Sequence, residues 1–301
     1  MNGTTAHNKP LFTLDASMQE AYRAPTLQQS SNAQKLFRSG KLVLGASLSY
    51  PSRHVAKTVA VSGGDWCWID AEHVAWSTTQ LVECIQVIIH ESGGKMVPIV
   101  RVPSKTAFDY MAWCLDAGAG GIIIPHIETV EEVKEVIGAC RFPPIGHRSF
   151  PPFTFINGVT DHTPEGKTIF SLANEHVAII PQVESRVGIA NLEEIASMKE
   201  ITAMMIGAGD LRLDMGLPLA MVGDEPEFVA AMEKATAMSK KYKLPLVGLA
   251  IGPEMLLERI DAGFTVLSVA SDFHTLAYGL LQGVGTAKAS AEQYLAQKRA
   301  A

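Results

Sequence analysis

Residues 96–127, MVPIVRVPSKTAFDYMAWCLDAGAGGIIIPHI, decide the fold. Two short runs rich in Val and Ile, 96–103 and 120–127, enclose a stretch with helical spacing, AFDYMAWCLDAG. Neither run alternates apolar with polar, so each predicts a strand buried on both faces. Two such strands joined through an amphipathic helix are parallel members of one covered sheet.

The unit recurs on both sides. Further strands are expected at 41–49, 65–71, 177–183, 203–210, 244–251 and 265–271. Helical stretches such as STTQLVECIQVIIHES, TVEEVKEVIGAC, NLEEIASM and PEFVAAMEKATAMSKKY fall between them. Eight strands over ~250 residues predict an α/β chain closed into a (β/α)8 TIM barrel. An open doubly wound sheet usually shows fewer strands, and no G-x-G-x-x-G fingerprint opens the first unit. The expected organisation is a polar N-terminal arm over 1–32 and one barrel domain over 33–301. One connection, about 141–176, is unusually long and rich in Pro, Gly and aromatics. It follows the fourth unit and is expected to form a lid or binding wall near the catalytic end of the barrel.

The 301 residues are 47% hydrophobic and 19% charged, with a net charge of −6. That balance fits a globular enzyme and argues against nucleic acid or an anionic membrane as partner. No apolar run approaches the ~18–20 residues of a membrane span, and the first residues do not resemble a secretory leader. Cys67, Cys84, Cys114 and Cys140 show no C-x-x-C or zinc-like spacing. They read as buried reduced thiols, and the cytoplasm is the expected compartment.

In a barrel of this kind chemistry collects at the C-terminal ends of the strands. Strand two ends in Asp70, Glu72 and His73, strand three in Arg101, and strand four in His126 and Glu128. Strand five ends in Gln182 and Glu184, strand six in Asp210, and strand eight in Ser271 and Asp272. Glu184 and Asp210 would form a hard oxygen site suited to Mg²⁺. Gly207 and Gly209 leave room for a ligand against the backbone. Each acid could instead cap a helix or pair with a lysine. The Arg101 fork can hold a carboxylate or enolate oxygen, or make a structural ion pair with a strand-end acid. His73, three residues past Asp70, is spaced for an acid–histidine pair that handles protons, although a satisfied structural histidine remains the alternative.

These strings resemble the HpcH/HpaI aldolase family. The matching blocks are DWCWIDAEH, PIVRVP, LDAGAGGIIIPHIET, RFPPIGHRS, PQVES and MMIGAGDLRLDMG, spread in order over most of the chain. The resemblance implies a barrel of the phosphoenolpyruvate/pyruvate type, assembled as a hexamer with the last helix packed on a partner barrel. It implies Mg²⁺ on Glu184 and Asp210, with Mn²⁺ or Co²⁺ able to substitute. Arg101 would contact the nascent enolate oxygen, and His73 with Asp70 would move protons. Gln182 and the Gly207, Ala208, Gly209 turn would line the pocket of a 2-oxo acid such as pyruvate or oxaloacetate. Asp116 would lie near a subunit interface, and Glu72 in a supporting position near the metal.

The chain departs from the simple family pattern in its aromatics. Phe150, Pro151 and Phe170, with Pro152, Phe153 and Phe155, enrich the long loop, His126 replaces a common apolar residue, and Trp68 shares the face of Asp70. Together they suggest a flat wall for a hydrophobic acceptor. The resemblance implies decarboxylation of oxaloacetate and addition of the pyruvate enolate to an acceptor such as a 2-pyrone, giving a benzoate. The alternative is a class II pyruvate aldolase acting on 4-hydroxy-2-oxo acids; a non-catalytic assembly module is a remote third.

Overall fold

The computed structural model describes residues 32–151 and 165–300. A one-turn helix α1 (Ala33–Phe37) precedes the repeating units. The first half runs β1 (Val43–Leu48), α2 (Arg53–Ala60), β2 (Trp66–Asp70), α3 (Thr78–Glu91), β3 (Val97–Arg101), α4 (Phe108–Asp116), β4 (Gly121–Ile124) and α5 (Val130–Cys140). After the long connection come α6 (Ile169–His176), β5 (Ala178–Val183), α7 (Arg186–Ala190), α8 (Leu192–Ala196), β6 (Met204–Ile206) and α9 (Ala208–Asp214). The chain finishes with α10 (Pro226–Tyr242), β7 (Leu246–Leu249), α11 (Pro253–Asp261), β8 (Val266–Ser271) and α12 (Asp272–Ala300). All eight strands are parallel, each beside the next in sequence, and β8 closes on β1 through Val43↔Val266. Every one lies inside a run expected from the sequence.

Strand parity sorts the core into two layers. Trp66 and Trp68 point into the barrel, as do Val97 and Ile99, Ala178 and Ile180, and Val247 and Val266. Cys67, Ile69, Val100, Ile122, Ile179 and Leu267 point outward beneath the helices. The Trp66 indole lies across Gly45, where a Cβ would stand 2.2 Å from the Trp66 carbonyl oxygen. Phe37 of α1 meets Trp66 edge-on, with ring centroids 5.7 Å apart, and seals the end of the barrel at which the strands begin. Gln34 reinforces that seal by donating to the Asn174 and Val177 carbonyls at 3.0 and 2.9 Å. Arg38 donates to Ile201 and Thr202 carbonyls beside it.

Helices start at side-chain caps. Ser77 accepts from Gln80 N, and Thr129 with Glu132 makes a reciprocal capping box on α5. All four cysteines are free and buried, as expected. Burial pushes every one of these thiols up, Cys84 and Cys140 to about 11, which keeps them protonated. Among the described residues no helix is long and apolar enough to cross a membrane.

Helix α12 is unlike the rest. None of its 29 residues is buried, and Tyr278, Leu280 and Leu281 are exposed. Its first residue ties it to the barrel, because Asp272 accepts from Ser49 N and Tyr50 N at 2.9 and 2.8 Å. Between α12 and α2 an apolar cavity of about 560 Å³ opens onto Val55, Val59, Leu276 and Leu280.

Candidate active site

The inward parity that buries Trp66 and Trp68 delivers Asp70 to the C-terminal rim, and that of Val97 and Ile99 delivers Arg101. The two stand opposite one another in the β2–β3 register. Arg101 Nε and Nη2 donate to the two Asp70 oxygens at 3.0 and 2.8 Å, a bidentate fork. Arg101 Nη1 lies 3.0 Å from Glu72 Oε2, a charge contact without hydrogen-bond alignment, since that oxygen has no hydrogen-bond partner. The guanidinium also sits 4.7 Å above the Trp68 ring. Two carboxylates and an indole therefore fix one buried guanidinium. The Trp76 indole donates to the Asp70 carbonyl at 2.6 Å and pins the strand end.

The expected Asp70–His73 pair does not form. Both Asp70 oxygens face inward and are taken by Arg101, whereas His73, past the strand end, stands 63% exposed with Nε2 3.5 Å from Glu72 Oε2. Glu72 thus becomes the hub of the rim, touching Arg101 and His73 and lying 3.8 Å from His126 Nε2. Burial holds its carboxyl above the usual range; Arg101, His73 and His126 pull it down, and the nearby Glu184 charge pushes it up.

Across the mouth, Gln182 and Glu184 are both buried. Gln182 Nε2 donates to Glu184 Oε2, and the His126 backbone N–H donates to Oε1 at 2.8 Å. His126 Nδ1 lies 3.4 Å from the same oxygen. The Gly207 backbone passes so close that a Cβ there would stand 2.0 Å from Glu184 Oε2. Asp210 follows in the first turn of α9. Trp68, His73, Arg101, Gln182, Asp210 and the turn Gly207, Ala208, Gly209 line one cleft of about 220 Å³.

The donor set fits a divalent cation. Glu72, His126 and Glu184 each offer an atom within 4.8 Å of the others. Glu184, 2% exposed, has no lysine or arginine partner among the described residues. Gln182 Oε1 is a buried carbonyl oxygen without a partner. Oxygen donors with excess negative charge and a close backbone approach suit Mg²⁺, Mn²⁺ or Co²⁺.

Other expected site residues lie elsewhere. Asp116 ends α4, where Arg148 Nη2 binds it at 2.6 Å. Phe150 and Phe142 both pack on Phe170, with centroids 5.8 and 5.0 Å away, and Phe142 N donates to Asn174 near the end of α6. These helix ends precede β4 and β5, so the described parts of the aromatic connection sit where strands begin, opposite Arg101 and Glu184. The expectation of a wall near the catalytic end is corrected for Phe150 and Phe170: the long segment leaves α5 at the end where strands begin, and Phe142 and Arg141 bind Asn174 and Val177 just before β5. It borders a cavity of about 720 Å³. Pro151 adjoins this group by sequence; Pro152, Phe153 and Phe155 lie outside the described residues, as does nearly all of the arm over 1–32.

Sequence reasoning passed over Lys105 and Arg259. Arg259 lines the cleft and donates to the Met221 carbonyl at 2.6 Å. Its place on a helix gave no strand-end signal. Lys105, four residues past Arg101, binds the His126 carbonyl and was accessible to a wider census of strand ends.

Comparison with known proteins agrees with the barrel. The model of the HpcH/HpaI aldolase/citrate lyase family matches residues 48–278. A crystal structure of macrophomate synthase is 33% identical, covers 96% of both chains and superposes with a TM-score of 0.79. A 2-dehydro-3,6-dideoxy-6-sulfogluconate aldolase of Pseudomonas putida is 28% identical over 237 residues, 76% of this chain and 86% of the relative. A 2-keto-3-deoxy-L-rhamnonate aldolase of Salmonella paratyphi B is 28% identical over 269 residues, 84% and 95% of the two chains. The chain belongs to the HpcH/HpaI aldolase/citrate lyase family and is an enzyme of its aldolase/lyase type.

Proposed function

We propose that this enzyme decarboxylates oxaloacetate and passes the pyruvate enolate to a hydrophobic acceptor such as a 2-pyrone, which then loses carbon dioxide and water to give a benzoate. The observation that carries this reading is Arg101, desolvated and fixed by Asp70, Glu72 and Trp68 at the mouth of the cleft. Its likeness over 96% of both chains to macrophomate synthase supports the finer assignment. Glu184 and Asp210, with His126 and Glu72 beside them, would hold Mg²⁺, Mn²⁺ or Co²⁺, which when bound supplies Lewis-acid stabilisation of charge developing on a 2-oxo acid.

The chain's own groups do the rest. As the C3 carboxylate leaves, its bonding electrons move toward the keto oxygen, and Arg101 meets that charge without reorganising. Such a preorganised donor is worth about 3–4 kcal/mol in the barrier. Gln182 borders the pocket of the small 2-oxo acid, and the Trp68 ring supplies a flat apolar surface beside it. His73, with Nε2 3.5 Å from Glu72 Oε2, would exchange protons at the rim. Decarboxylation itself needs no base.

The second reading is a class II pyruvate aldolase for 4-hydroxy-2-oxo acids, favoured by the names of the two aldolase relatives. Oxaloacetate consumption with Mg²⁺, followed by mass spectrometry for a benzoate when a 2-pyrone is added, tests the choice. Cleavage of a 4-hydroxy-2-oxo acid with oxaloacetate left intact would favour the aldolase.

We further propose that α12 is exchanged between subunits of a homo-oligomer, a hexamer on the family pattern. Its lack of any buried residue and the apolar cavity beside α2 support this. In such an assembly Asp116, Phe150, Pro151 and Phe170 would serve a neighbour's site rather than their own.

A further inference from the structure

The left-handed residue beside Glu184 is held from outside the site. His126 has φ 51°, and among the described residues only Lys243, which ends α10, is another non-glycine residue at positive φ. Side chains with a Cβ rarely adopt that conformation without support. The turn directs the His126 N–H inward to Glu184 Oε1 at 2.8 Å and leaves its carbonyl pointing the other way. Lys105 Nζ donates to that carbonyl at 3.0 Å.

Lys105 is itself braced. It lies 2.5 Å from Glu132 Oε1 and 3.9 Å from Glu128 Oε2. The other Glu132 oxygen accepts from Glu128 N and Thr129 N at 2.8 and 3.2 Å. Ser185 Oγ, next to Glu184 in the chain, donates to Glu128 at 2.7 Å. The loop after β3, the turn after β4 and the end of β5 thus meet on one ammonium group. That group touches nothing in the cleft, yet together with Ile127 N, which donates to the Gln182 carbonyl at 3.0 Å, it holds the peptide after His126, on the far side of the left-handed residue from the N–H that reaches Glu184.

We propose that Lys105 is a positioning residue for the metal-binding carboxylate Glu184, acting through the left-handed backbone of His126. The inference rests on the reading that Glu184 binds the metal. Removing the ammonium frees the His126 carbonyl, lets its backbone leave the left-handed region, and withdraws the N–H from Glu184. Glycine occupies that region without a steric penalty, so a glycine at 126 should need no such brace.

The test is Mn²⁺ binding to the full chain with pyruvate present, followed by electron paramagnetic resonance, in Lys105→Met, Lys105→Arg, His126→Gly and the Lys105→Met/His126→Gly double variant. Lys105→Met should weaken Mn²⁺ roughly 10–100-fold, the range for losing a group that orients a ligand. Lys105→Arg should restore most of it, and melting curves should confirm folded protein. In the His126→Gly background Lys105→Met should cost less than about threefold more, a non-additivity that a merely structural lysine would not produce. Equal losses in both backgrounds, or Lys105→Met within twofold of the parent, would overturn the inference. Glu184→Gln separates the two levels: lost binding there with Lys105→Met unaffected sinks this proposal alone, whereas full binding in Glu184→Gln sinks the metal reading beneath it.

Discussion

Gly207→Ala offers a test of the site that needs no assumption about substrate. Gly207 has φ −77° and ψ 81°, a conformation open to alanine, so the substitution acts through its added methyl. That methyl would stand 2.0 Å from Glu184 Oε2 and 2.7 Å from Glu184 Cβ. Ordinary heavy-atom contacts lie near 3.5 Å, so the carboxylate must retreat by roughly 1.5 Å. Rotation of the outer side chain alone cannot relieve the contact at Cβ. Retreat breaks the hydrogen bonds from His126 N and Gln182 Nε2, each a bond to a charged group worth about 1.5–3 kcal/mol. With partial rehydration and the usual overpacking cost, a net loss of about 2–4 kcal/mol follows. Melting should fall by about 2–4 °C for each kcal/mol, and Mn²⁺ affinity by at least ~10-fold. Gly209→Ala is the control. Its methyl meets only the ends of Leu219 and Met221, at 3.3 and 3.4 Å, so its melting should stay near the parent's. Parental melting and Mn²⁺ affinity in Gly207→Ala would refute the packing argument.

Arg101→Ala leaves Asp70 and Glu72 buried without their cation, which should cost about 3–5 kcal/mol of stability and at least ~100-fold in turnover; denaturant melts and oxaloacetate assays read both, and full activity would remove Arg101 from the site. His73→Ala should partly spare oxaloacetate decarboxylation but nearly abolish cleavage of a 4-hydroxy-2-oxo acid. Equal collapse of both rates would show that His73 does more than move a proton. Deleting residues 277–301, most of α12, should dissociate the assembly in sedimentation analysis, and an unchanged oligomer would rule out helix exchange.

The barrel was legible because its strands are written as apolar runs ending in charge. PIVRVP and WCWID carry inward parity as far as Arg101 and Asp70, and the side chains follow it. Trp68 and Asp70 were expected on one face, and both meet Arg101, as does Glu72. Pairing was less legible. The spacing of Asp70 and His73 allowed a pair, but spacing along one strand says nothing of an arginine arriving from the next. Phe150 and Phe170 were assigned to the wrong end because a long loop announces its length and not whether a strand or a helix feeds it. The left-handed turn at His126 had no signal, since PHI gives no glycine or asparagine to mark it.

The short helix α1, with Phe37 wedged against Trp66, makes the barrel a blind vessel. Whatever enters over the Arg101 rim has no floor to drain through. For the proposed reaction this imposes traffic rules as well as chemistry. Carbon dioxide released in the cleft would leave over the same rim that admits the bulky acceptor. A stopper far from any reacting atom thereby leaves one opening to serve substrates and products alike.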